Sequence, residues 1–377
     1  MKLITYTFVL LLSWSQAHAH KPSDSYLALQ VKAAGGDVSR IEGQWDIALR
    51  DIDYAIGLDA NNDGAITWGE LRVRQTEVAA FTLSHLNLKR GGVPCIGHPT
   101  DHLVDNHTDG AYTVLRFVMD CPNASKRLEV GYSLFFDLDP MHRGLMRLTD
   151  QGQTQTAIFS PDKKTQPFET GVVPKWHSFS DFGREGMFHI LIGFDHILFL
   201  ISLLLPSVLK RESGRFQAVL GFQVALLDVV KIVSAFTLAH SITLSLASLD
   251  IVHLPSRFVE SVISASIVLA ALNNLYPIFE GRRWAVAFGF GLIHGFGFAS
   301  VLIDLGLPGN ALLTALLGFN LGVEAGQLAI VTVFLPLAYW LRSSWYYQRL
   351  ILALGSCLII ALASIWFIER VLNLKLL

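Results

Sequence analysis

From Met187 onward the chain is dominated by apolar stretches of helix-spanning length, and these limit its folds more than any other feature. They are predicted near 186–208, 228–251, 257–276, 284–304, 311–340 and 348–371. A hydrocarbon core of about 30 Å needs about 20 residues at the helical rise of 1.5 Å, so each stretch is long enough to cross. The C-terminal part is therefore expected to be an all-α polytopic membrane bundle of about six transmembrane helices. The fifth stretch is overlong and carries Gly318, Asn320 and Gly322, where a tilt or a break is expected.

Basic residues orient this bundle. Alternate connections hold Lys210, Arg211 and Arg215, then Arg282 and Arg283, then Arg342 and Arg349, whereas the other two hold only Arg257. Cytoplasmic loops are the basic ones, so an even number of spans is expected, with both ends of the bundle outside. The N-terminus reads as a secretory signal over 1–19: Lys2 supplies the charge, Phe8–Trp14 a short apolar run, and Ala17-His18-Ala19 a cleavage site. Together these place the chain in a bacterial inner (plasma) membrane as a multi-pass protein, with residues 20–159 forming a domain in the periplasm.

That domain has ordinary mixed composition. Alternating residues predict strands at 25–32, 112–118 and 127–137, and helices are expected at about 46–57 and 69–87, giving a small α+β, β-rich unit. Residues 59–70 match a twelve-residue EF-hand loop. Asp59, Asn61 and Asp63 stand at positions 1, 3 and 5, Ala65 offers a carbonyl, Thr67 a side chain or a water, and Glu70 closes the loop at position 12. Gly64 permits the sharp turn at position 6, and calcium is the ion that such an oxygen shell suits. Cys95 and Cys121 could pair in an oxidising compartment. Residues 160–184 contain Pro161, Pro167 and Pro174 and read as a linker to a membrane domain over 185–377.

A formal charge of −2 argues against nucleic acid as a partner, and no P-loop is present to bring ATP drive into this chain. The expected partners are a metal ion and membrane lipid. Polar groups inside a bilayer are costly and face the protein interior. Here His189, Asp195 and His196 fall on the first helix, His240 on the second, His294 on the fourth and Glu324 on the fifth. Counted inward at 1.5 Å per residue, His196, His240 and His294 all lie roughly 15 Å deep, so they are expected to meet in one metal or proton site. His189, seven residues before His196, is placed as an entry ligand on the same face, and Asp195 as a carboxylate orienting a neighbouring histidine. Imidazole and carboxylate suit Ni, Zn, Co or Fe. The glycines around His294 are expected to serve close helix packing.

These residues also resemble a known family. His189-Ile-Leu-Ile-Gly193-Phe-Asp195-His196 is similar to the H-x-x-x-G-x-D-H pattern of the HupE/UreJ membrane proteins, as are Ala235–Ser241, Gly291–Gly297 and Phe319–Glu324. The resemblance covers about 186–340. Ile190 stands where such proteins commonly have Pro, and the preceding exported domain looks like the long branch of the family. The resemblance implies metal-handling roles for His189, Asp195, His196, His240, His294 and Glu324, in a permease supplying nickel to hydrogenase or urease.

Two readings of the bundle follow. One is a transporter for a divalent transition metal, nickel-like, entering at His189. The other is an intramembrane zinc-type hydrolase acting on a lipid or a membrane peptide, with three histidines on the metal and Asp195 or Glu324 as general base.

Overall fold

The computed structural model describes residues 24–32, 39–107, 110–122, 125–170, 175–212, 215–276, 278–279 and 281–372; the expected signal segment lies outside them. The first part of the chain builds two sheets. Strands β1 (Asp24–Lys32), β2 (Ser39–Ala48), β5 (Ile96–His107), β6 (Gly110–Cys121), β8 (Arg143–Asp150) and β9 (Gln153–Phe159) form one, in the order β5-β6-β2-β1-β8-β9. Strands β3 (Leu86–Arg90), β4 (Val93–Pro94), β7 (Arg127–Tyr132) and β10 (Thr165–Glu169) form the other, ordered β10-β7-β3-β4. Only β1 and β8 pair in parallel; every other pair within these sheets is antiparallel.

Side chains alternate across a strand, and here both sides are used. Leu27, Leu29, Trp45, Phe117, Met146 and Phe159 point into the domain core, where Trp45 packs on Tyr132 of the facing sheet at 5.2 Å between ring centroids. Their neighbours Tyr26, Tyr112, Leu145 and Ile158 point the other way and join a cluster with Phe182, Leu302, Leu305 and Leu312 of the apolar part. The central strands of the larger sheet are thus buried on both faces, while the edge strand β5 is largely exposed, and the β-rich domain and the helical bundle share one hydrophobic cluster. Helices α1 (Leu49–Ile56) and α2 (Trp68–Ser84) flank the 59–70 loop. Thr67 caps α2: its hydroxyl accepts from the Glu70 N–H, and the Glu70 carboxylate accepts from the Thr67 N–H. A Cys95–Cys121 disulfide ties the chain entering β5 to the end of β6.

The bundle contains α3 (Lys175–Ile192), α4 (Phe194–Leu204), α5 (Phe222–Ser248), α6 (Ser256–Leu275), α7 (Arg283–His294), α8 (Ala299–Asp304), α9 (Gly309–Leu341) and α10 (Leu352–Leu372). Among the described residues, five helices are long and apolar enough to cross a membrane, or six if the bent pair α3–α4 counts as one span. Two spans are broken. Gly193 separates α3 from α4 with a 68° bend, and a 3-10 turn, Gly295–Gly297, separates α7 from α8.

Several expectations need correction. Residues 160–184 are not a linker throughout: Thr165–Glu169 pairs with β7, and α3 covers Lys175–Ile192, with Phe182 buried in the cluster shared with the sheet. The first span is two helices rather than one continuous helix over 186–208. The strand expected over 127–137 stops at Tyr132, and residues 46–48 of the helix expected at 46–57 belong to β2. Helix α9 runs unbroken through Gly318 and Gly322, which serve close packing instead. A Cβ at Gly322 would strike the Gly183 carbonyl, and one at Gly318 the Phe179 carbonyl, so these glycines let α9 and α3 approach backbone to backbone. The same holds between α5 and α7, where Gly291 and Gly295 lie against the backbone of Phe236 and His240.

The end of the bundle farthest from the β-rich domain carries the hairpin β11 (Leu209–Glu212) and β12 (Arg215–Ala218). It is knitted by Arg283 donating to the Pro206 carbonyl and Arg342 to the Val219 carbonyl.

Candidate metal centre

Both helix breaks carry histidines, and both aim them at α5. His189 lies in the last turn of α3, and His196 in the first turn of α4. In a straight helix, seven residues would separate them by about 10.5 Å along the axis. The bend folds the two arms together, so their ring centroids stand 4.5 Å apart in an edge arrangement. His240 of α5 completes the group. One ligand atom each from His189, His196 and His240 can be chosen so that all lie within 4.8 Å of one another. Ligand bonds of about 2.0–2.1 Å to a single tetrahedral ion would bring such atoms to about 3.4 Å apart, a shift within reach of side-chain rotation.

The partners of these rings fix which nitrogen is free. Asp195 Oδ1 is 2.9 Å from His196 Nδ1 and also accepts from the His196 backbone N–H, so Nδ1 carries the proton and Nε2 presents its lone pair. His240 Nδ1 is 3.4 Å from Asn320 Oδ1, and the Asn320 amide is oriented by donating to the Leu316 carbonyl, leaving His240 Nε2 as the free lone pair. His294 Nε2 is 3.0 Å from Ser266 Oγ. That hydroxyl already donates to the Ile263 carbonyl, so it accepts from His294, whose Nδ1 is the unprotonated atom. The Nε2 atoms of His189, His196 and His240 and Nδ1 of His294 are all buried without a hydrogen-bond partner. Buried polar atoms are normally satisfied, so unpartnered ring nitrogens gathered in one place suit a cationic ligand.

The geometry redistributes the roles expected from depth alone. His189 stands in the cluster rather than above it. His294 stands beside it, its ring centroid 5.4 Å from that of His196, and packs against Phe199 and Phe236. Asp195 orients His196, as a carboxylate beside a ligand would. Glu324 is not among the clustered atoms; its carboxylate accepts from the Ser234 hydroxyl at 3.0 Å. Ser266 was not singled out by sequence reasoning, and Gly193 only as a position of the family-like motif, without its role as a break. An isolated serine in an apolar helix carries no distinguishing signal, and the break at Gly193 is invisible to hydropathy.

Residues 165–370 match the HupE / UreJ protein family, slightly more than half of the chain. The chain belongs to the HupE/UreJ family. That family is associated with nickel and cobalt transport, which makes the bundle a metal transporter at family level. A comparison with curated proteins found no match. Within this HupE/UreJ bundle, the family resemblance and the histidine cluster coincide: the ordered motif around Gly193 is the segment that bends to bring His189 onto His196.

In the β-rich domain, the loop side chains of 59–70 converge. Asp63 N–H donates to Asp59 and Asn61, Gly64 N–H to Asp59, and Asn61 to Asp63 Oδ2 at 2.8 Å. The backbone and side chain of Thr67 hold the Glu70 carboxyl below its ordinary pKa, so it is anionic at neutral pH. Ala65 donates its N–H to Asp63 Oδ1.

Proposed function

We propose that the bundle is a permease for a divalent transition metal of the nickel type, with the ion held as cargo by His189, His196 and His240. The observation that carries this reading is the convergence of unpartnered Nε2 atoms from α3, α4 and α5 at the helix break around Gly193. Broken helices whose ends meet in mid-bundle are a recurring way for transporters to build a site. The imidazoles, two of them oriented at the far nitrogen by Asp195 and Asn320, match Ni, Co or Zn better than Mg or Ca.

Transport also needs a route to the far side. A polar seam between α5 and α9 supplies one: below the His240–Asn320 contact, Thr237 donates to Gln327 at 2.8 Å and Ser234 to Glu324 at 3.0 Å. Both pairs lie closer to the basic end of the bundle than the histidines. A zinc-type hydrolase would need one opening and no such continuation, so the seam favours transport. Uptake of Ni, Co and Zn by proteoliposomes containing the full chain tests the reading. Uptake lost on His196→Ala supports it. Wild-type vesicles that bind metal but stay tight to it, while cleaving a lipid, would sink it in favour of the hydrolase.

The same reading assigns the β-rich domain to the periplasm and the hairpin end, with Lys210, Arg283 and Arg342, to the cytoplasm of a bacterial inner membrane. It assigns calcium to the loop through Asp59, Asn61, Asp63, Ala65, Thr67 and Glu70, as a clip between α1 and α2. The anionic Glu70 at the closing position supports that assignment.

A further inference from the structure

The histidine cluster is capped on the side of the β-rich domain by two aromatic rings. Phe298, at the junction of the 3-10 turn and α8, stacks on Phe319 of α9 at 4.1 Å between centroids and 10° between planes. Both rings also lie against His189, at 5.0 and 5.4 Å, and Phe319 against His240 at 6.4 Å. Rings stacked this closely admit neither an ion nor its water, and apolar constrictions of this kind gate by dewetting. The far end of α8 is gripped by the domain. Asp304 Oδ2 lies 3.5 Å from His107 Nδ1, and Arg147 of β8 donates to the Gly306 carbonyl. Beside α8 lies a small crevice of about 60 Å³ lined by Phe296, Gly297, Ala299 and Ile303.

We propose that Phe298 and Phe319 form the gate on the domain side of the histidine cluster, and that the β-rich domain holds it shut through the contact of His107 with Asp304. This rests on the reading of the cluster as a metal site loaded from that side. Contacts made only in the closed arrangement shift the population toward it, so removing them opens the gate.

His107 is built for such a latch. Its other nitrogen, Nε2, is 3.2 Å from Asp46 Oδ2, and its ring stacks on Tyr26 at 5.3 Å and on Tyr112 at 4.1 Å. These four, from β1, β2, β6 and the end of α8, are the titratable groups that face it; Gln44 steadies Asp46 with a 2.9 Å hydrogen bond. Burial pulls the imidazole down, but the flanking carboxylates of Asp304 and Asp46 outweigh it and lift its pKa from 6.5 to about 9. A raised pKa means that the cationic latch is fully present below the unfolded value and is lost as pH rises through about 9.

The test reads access rather than transport. In full-length protein with Cys357→Ser, His189→Cys is exposed in vesicles to a membrane-impermeant cationic methanethiosulfonate on the domain side. Labelling should be slow, and about tenfold faster or more with Phe298→Ala, as expected when a contact worth about 1.4 kcal/mol is removed. Phe298→Leu, which keeps the bulk, should stay near the slow rate and shows that the fold survives. Asp304→Asn should also accelerate labelling, and its advantage over Asp304 should close as pH passes about 9, because His107 is then neutral in both. Fast labelling with Phe298 in place, or a rate indifferent to Phe298→Ala and Asp304→Asn, overturns the gate. If the rates behave as expected while vesicles carry no metal, the gate stands and the transport reading falls.

Discussion

The imidazoles of His189 and His196 stand 4.5 Å apart although six residues lie between them, because the helix that should hold them apart is broken at Gly193. Gly193 has φ −65°, which any residue can adopt, so its lack of a side chain matters sterically. A Cβ there would meet the His189 carbonyl, His196 Nδ1 and Asp195 Oδ1. Gly193→Ala should therefore push His196 out of line and weaken Ni binding by at least about tenfold, a loss of about 1.4 kcal/mol, while helical content by circular dichroism is unchanged. Unchanged binding in titration calorimetry would show that the break does not set the site.

His189→Ala should lower bound metal as much as His196→Ala or His240→Ala, since all three supply clustered atoms. Metal analysis of purified protein checks this. His294→Ala should cost less occupancy, because its ring stands beside the cluster. The reverse ranking would restore the arrangement that helix depth alone suggests, with His189 as an entry ligand.

Asp195→Asn keeps the shape but removes the charge that orients His196 Nδ1. Loss of such a supporting carboxylate typically costs about 10–100-fold in metal affinity, and that is the drop expected here. Asn320→Ala should act in the same direction and more weakly, since its contact with His240 is neutral and 3.4 Å long.

Calcium titration of the full chain should show binding that Glu70→Gln weakens strongly, by removing the charge at the closing position. The capping of α2 at Thr67 should survive, because a glutamine can still accept from the Thr67 N–H. Absence of any binding at millimolar calcium in the wild type would refute the assignment.

A reporter fused after Leu377 should lie on the same side as the β-rich domain, and one inserted within 209–215 on the opposite side. A C-terminal reporter on the hairpin side would require an odd number of spans.

Much of this architecture was legible before any coordinates. Hydropathy marks spans because a bilayer demands length and apolarity at once, and the expected helices fall within a few residues of α5, α6, α9 and α10. The histidines were legible as a set because polar groups are rare in such helices. What escaped was geometry that hydropathy averages away. Gly193 reads only as a position in the family-like motif yet is a joint. Gly318 and Gly322 read as a joint yet are packing residues, since only the identity of the opposing surface on α3 separates the two roles. The prolines at 161, 167 and 174 made 160–184 look like a linker, although Pro167 sits in a strand paired on one side only, with β7, where a missing N–H is tolerated.

The grip of His107 on Asp304 joins residues 197 positions apart in the sequence. At about 5–20 residues per second, a ribosome reaches Asp304 roughly 10–40 s after His107 has emerged. The β-rich domain is fully synthesised by then, yet one apolar side of its sheet is only partly covered, by Phe182 of α3 and Leu244 of α5, until Leu302, Leu305 and Leu312 arrive. Biogenesis of this protein therefore has a waiting period with a sticky intermediate, and the docking of that sheet marks the moment when four spans and the start of the fifth are in register.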